Sequence, residues 1–210
     1  MNKTLTIIVA ILLSVLLVVS AFGAEKGTMK KGSWFMAGGW TAGFASAGGD
    51  LNKGGPDGKS VTTFNFSPSA GYFFADALGI GANISYASAS QGDNKVTAMG
   101  IGPQAYYYIG ASSKDIEKGM AVPYATVAFT YVSGKVSSAN DEAKTKGYDI
   151  HIGLGGVYML EKSLGVFAEA FYDMQSMKGK LGKDGEWSKS ISGSELGIKI
   201  GVSGFFSFGK

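Results

Sequence analysis

The chain of 210 residues contains no cysteine, one histidine and four prolines. Without cysteine there is no disulfide framework, no thiolate metal site and no cysteine for a lipoprotein anchor. Scarce proline beside 33 glycines and 45% apolar residues matches neither a disordered chain nor a collagen. A run long enough for a membrane helix is missing too. The stretch from Ile7 to Val19, broken only by Ser14, falls short of the roughly 18 residues such a helix needs. With Lys3 ahead of it and small residues at Ala21 and Gly23, it reads as a secretory signal cleaved near Gly23 or Ala24. Residues 1–23 are then the signal peptide and 24–210 the mature domain. Loss of Lys3 from 19 basic residues leaves 18 against 16 acidic ones, a net charge of +2, so no strongly basic nucleic-acid surface is expected.

What the chain does have is alternation. In LGIGANISYA, residues 78–87, every second position (Leu78, Ile80, Ala82, Ile84, Tyr86) is apolar, and those between are small or polar. The same period lays out eight strands, at about 33–46, 61–74, 78–87, 95–109, 122–133, 147–160, 164–177 and 190–208, with ends good to about two to four residues. One face of each is oily, as with Ile150, Ile152 and Leu154, or Leu196, Ile198, Ile200, Val202, Phe206 and Phe208. The other carries glycine, serine, asparagine and threonine. Charge gathers in SAGGDLNKGGPDGKS, SASQGDN, GKVSSANDEAKTK and MKGKLGKDGEWSK, each read as a long connection after an odd strand. Connections after even strands are short, as in the paired hairpins GYFFADALGIG and VYMLEKSLGVF; ASSKDIEKG, where a tight turn is expected, breaks the rule.

A water-facing strand carries lysine, glutamate or threonine more readily than glycine. The pattern is solved if the oily face looks outward into lipid. Unpaired backbone is too costly in a bilayer, so only a closed barrel, with strands of about 9 to 11 residues tilted by about 45°, can span it. The expected fold is all-β: an eight-stranded antiparallel up-and-down transmembrane barrel. A soluble lipocalin-like carrier, oily face inward, would overfill the interior of eight strands.

The SPSAGYFFADALGIGANISY hairpin and the ending SGFFSF resemble the small outer-membrane β-barrel proteins of the OmpA/OmpX type, often called porin-like; Gly209 and Lys210 after Phe208 depart from the usual aromatic terminus. The resemblance implies a cell outer membrane location and a monomer. Its partners would be outer-membrane lipid and, during export, periplasmic chaperones and the barrel-assembly machinery, with Phe206 and Phe208 as the C-terminal assembly signal. It also implies a periplasmic amino terminus and short turns, outward long loops, and interfacial girdles formed by Trp34, Tyr72, Tyr131, Tyr158 and Trp187.

His151 shares the inward parity, and the EKS turn sets it opposite Asp173 and sets Gly155 opposite Glu169. Glu195 and Lys199 have the same parity. A lumen cluster of His151, Glu169, Asp173, Glu195 and Lys199 is therefore expected, because charges in a narrow interior must be paired. It reads either as a structural network closing the lumen or as a gate for small solutes. Inward aromatics (Phe35, Tyr106, Tyr108, Tyr124, Phe167, Phe171, Phe205) compete with inward glycines over whether the lumen is filled, a balance left open by the sequence. GGPDGKS lacks the first glycine and the following helix of a phosphate loop. His151 is followed by Ile152 and Gly153 and faces inward, which does not match the His-x-Ser of lipid A deacylase barrels, and its mid-strand place suits the palmitoyl-transferring type poorly. The expectation is a structural or narrow passive-channel barrel with no enzyme activity and no cofactor. A surface adhesin or receptor acting through the long loops is the competing class.

Overall fold

A computed structural model of the chain describes residues 28–49, 62–91, 94–111, 116–137, 142–181 and 185–207. Residues 1–23, expected to be a signal peptide, and Phe208 lie outside these residues. Eight strands follow in order: β1 (Trp34–Gly49), β2 (Thr62–Ala75), β3 (Leu78–Gln91), β4 (Asn94–Tyr108), β5 (Ala121–Ser137), β6 (Glu142–Glu161), β7 (Leu164–Leu181) and β8 (Ile191–Phe206). Each pairs antiparallel with the next, and β8 closes on β1.

The barrel is inside-out. Along β5, exposed Val127 and Phe129 alternate with buried Val122, Tyr124, Thr126, Ala128 and Thr130. Met99, Ile101, Leu154 and Leu196 are each at least 60% exposed on the outer face. Water-soluble proteins rarely show an apolar surface of this continuity, and the oily-face-inward arrangement is not the one adopted.

Two of the stretches read as long loops are largely strand, and a third begins as strand. β3 and β4 stay paired to Gln91↔Asn94, and β5 and β6 to Ser137↔Glu142. β7 runs to Leu181, and its Lys180 bridges to Trp187 beyond the strand's end. Antiparallel hairpins do not end where the oily face ends: water satisfies their edges, and the ladder continues through serine, threonine and lysine. The ASSKDIEKG connection is long for another reason. Ala111 and Ile116 are buried, and Met120 packs against the same cluster, so these residues cap the short-turn end.

Candidate functional site: the lumen

The interior has two halves. At the short-turn end, rings from neighbouring and from opposite strands meet edge to face. Phe35 lies 5.1 Å from Tyr106 and 5.4 Å from Phe73, and Tyr108 lies 5.5 Å from Phe205. These rings are at most 7% exposed, and they share one cluster with Tyr124, Val122, Val157, Met159 and Met29. Inward glycines supply the space. A Cβ at Gly71 would stand 2.4 Å from the Phe35 ring, and one at Gly197 would stand 2.5 Å from Phe171. The seven aromatics with inward parity are all buried, and Phe73, not singled out from the sequence, joins them. Gly71, Gly79, Gly155, Gly197 and Gly201 are therefore sockets for rings. Outside the seal, the Glu161 carboxylate accepts from Lys118 Nζ at 2.6 Å and holds that amine above the ordinary lysine range.

Above the seal lies a cavity of about 510 Å³, lined among others by Asn65, Asn83, Thr130, Asp149, Gln175 and Glu195. Side-chain bonds cross between strands at its wall. Ser69 Oγ is 3.2 Å from Tyr106 Oη, Gln104 Nε2 donates to Thr126 Oγ1 at 3.0 Å, and Asn83 Nδ2 donates to Thr130 Oγ1 at 3.1 Å.

The charged cluster forms the floor between the halves. The two-residue turn Lys162–Ser163, with a bulge between Met159 and Glu161, fixes the pairings His151↔Asp173 and Gly155↔Glu169. The next interface sets Glu169 opposite Lys199 and Asp173 opposite Glu195. Lys199 Nζ donates to Glu169 Oε1 at 2.6 Å. His151 Nε2 is 3.1 Å from the same oxygen, and Nδ1 is 2.6 Å from Asp173 Oδ1. Carboxylates only accept, so the imidazolium form satisfies both ring contacts. The imidazole stacks on Phe171 at 5.5 Å, and Glu169, 1% exposed, leans over Gly153.

Four of the five expected cluster members are thus linked by ion pairs. Glu195 lines the cavity without an ion pair among the described residues. Asp149 was missed, although it lies two residues before His151 on the same face; that parity was the available signal. Among the described residues its buried Oδ1 has no hydrogen-bond partner, and the same holds for Asn65 Oδ1 and Glu169 Oε2. The cavity therefore has a surplus of acceptors. Among the described residues no group of three or more His, Asp or Glu is arranged to hold a metal ion.

On the outside, Trp34 meets Tyr72 edge to face at 5.4 Å, with Tyr158 at the same short-turn end, while Tyr131 pairs with Tyr148 near the other. Trp187 lies beyond that row, at the level of Lys180. Phe206 has outward parity but is only 5% exposed, enclosed in the last rung opposite Trp34.

No protein-family model matches the chain, and no curated protein matches it. Solved structures do. Outer membrane protein OprG from Pseudomonas aeruginosa is 14% identical over 86% of this chain and 98% of its own, with a TM-score of 0.51. The N-terminal β-barrel domain of Pseudomonas aeruginosa OprF is 17% identical over 84% and 98%, also at 0.51. Outer membrane protein AlkL, solved in DMPC lipid bilayers, is 14% identical over 89% and 96%, at 0.53. The closed meander, the outward oily face and these likenesses together give the chain the fold of the small eight-stranded outer-membrane β-barrels.

Proposed function

We propose that the protein is an integral outer-membrane barrel with a structural role, its lumen closed to passive flow. The observation that carries this is the ring cluster at the short-turn end, where Phe35, Phe73 and Phe205 are at most 1% exposed. Phe35 meets Tyr106 and Phe205 meets Tyr108 across the lumen, and the Lys199–Glu169–His151–Asp173 network lies directly above. On this reading the seal faces the periplasm and the cavity faces outward. No catalytic chemistry is assigned to the lumen. The test is the current carried by folded mature protein in a planar bilayer. A silent membrane from protein that shows a heat-sensitive gel shift supports closure; steady discrete conductance from the unaltered chain refutes it.

A second reading, a receptor for a small solute, is favoured by the unpaired acceptors of the cavity. Asp149 Oδ1 and Asn65 Oδ1 call for a ligand that only donates, such as an ammonium or guanidinium group. Calorimetric titration of the folded barrel with a series of small amines tests it. Saturable heat that vanishes in Asp149→Asn would support the receptor, and no heat with any amine would end it.

A further inference from the structure

The outer face of β5, β6 and β7 changes character abruptly above the apolar band. Cross-strand pairing orders it in rows. One row is Phe129↔Ile150↔Met174, and the next is Tyr131↔Tyr148↔Ser176. Above them come Ser133↔Lys146↔Lys178 and then Lys135↔Lys144↔Lys180. All these positions share the parity of the exposed Phe129 and Tyr148, so the five lysines stand on the lipid-facing side of the wall.

Like charges directly opposite one another across strands are destabilising, yet here lysine faces lysine in two successive rows. Compensation within the chain is slight. Glu142 takes up Lys135 at 3.1 Å, and Lys146 rests 4.1 Å over the Trp187 ring. Lys144, Lys178 and Lys180 have no carboxylate partner among the described residues. On the neighbouring strand β4 these two rows continue through Met99 and Thr97, opposite Ser133 and Lys135. The positive rows are therefore local, not a general feature of the rim.

Their height identifies what compensates them. Strands rise about 3.3 Å per residue and tilt by about 45°, so the rows lie roughly 5 and 10 Å above the tyrosine pair. Tyrosine marks the interface between hydrocarbon and headgroups. Lysine amines at this level meet the phosphates of the lipid, and the apolar rows directly beneath meet its acyl chains. A soluble polyanion would use the amines but not the apolar rows below.

We propose that this face binds a phosphorylated lipid of the outer leaflet, with its phosphates held by the two lysine rows and its chains lying on the Phe129, Ile150 and Met174 rows. The site rests on the reading of the chain as an outer-membrane barrel. Three amines without carboxylates, spread over neighbouring strands, favour a headgroup with more than one phosphate.

The test is native mass spectrometry of the folded mature barrel, released from zwitterionic detergent after exposure to lipid A, which carries two phosphates, or to its dephosphorylated form. Folding is verified separately by the heat-sensitive gel shift and by insertion into phosphatidylcholine vesicles, so that failure to insert counts against the barrel reading and not against this site. The unaltered protein is expected to retain one phosphorylated lipid. The variant Lys144→Gln/Lys178→Gln/Lys180→Gln is expected to retain it roughly a hundredfold less well, from about a fivefold contribution per lysine near a charged membrane surface. Lys31→Gln/Lys118→Gln, at the opposite end, is expected to change nothing. Equal retention by the triple variant, equal retention of the dephosphorylated lipid, or displacement of the lipid by inorganic phosphate would each overturn the proposal.

Discussion

The two halves of the lumen are made by the same strands with the same alternation, yet one is a packed core and the other an acceptor-lined cavity. At the short-turn end, several inward rings have a glycine against them, as with Phe35 at Gly71 and Gly79, Tyr124 at Gly155 and Phe167 at Gly201. Toward the other end, inward positions hold Asn65, Asn83, Thr130 and Gln175, which neither fill the space nor repel water. The difference teaches that size matching between facing strands, not the period of the strand, decides whether a barrel of eight strands is closed. Between the halves the charged floor follows a third rule, in which stability depends on whether a carboxylate is paired.

That third rule gives the largest expected effect. Glu169→Ala removes the shared acceptor of Lys199 and His151 and leaves two cations in a site only 13% and 10% exposed. Breaking one partner of a buried ion pair costs about 3–5 kcal/mol, read as a fall in the urea midpoint of the folded barrel. Asp149→Asn removes a carboxylate whose buried oxygen has no hydrogen-bond partner among the described residues, so the midpoint is expected to hold or rise. A loss in Asp149→Asn as large as in Glu169→Ala would erase the distinction between paired and unpaired carboxylates.

Overfilling the seal comes next. In Gly71→Ala the new methyl would meet both the Phe35 ring and the Ile80 carbonyl at 2.4 Å. Overpacking costs about 1–3 kcal/mol, and double substitution with Phe35→Leu is expected to recover part of it in the same assay. An unchanged midpoint in Gly71→Ala would mean that the socket is not tight. The smallest effect belongs to the wall of the cavity. Ser69→Ala takes away one hydrogen bond to Tyr106, worth about 0.5–1.5 kcal/mol, and should leave the seal closed to current.

Much of this fold was legible in the chain. Eight alternating segments fix the strands, and the EKS turn alone sets the pairing of His151 with Asp173. The outer extensions were not legible, because 134–137 and 142–146 lack an oily face and an apolar period says nothing there; their paired lysines looked like scattered loop charge. Closure was also out of reach. Phe35 on β1 sits against glycines of β2 and β3, and which ring meets which glycine depends on tilt and stagger around the barrel. Asp149 could have been found by extending the parity of His151 by one more inward position.

The most direct measurement of the central claim is the ion current of the unaltered barrel beside that of Phe35→Ala/Tyr108→Ala/Phe205→Ala, both folded and inserted in the same planar bilayer. Closure by the ring cluster predicts silence from the first and discrete steps from the second. Steps of equal size from both would show that the rings do not close the lumen, and would contradict the account.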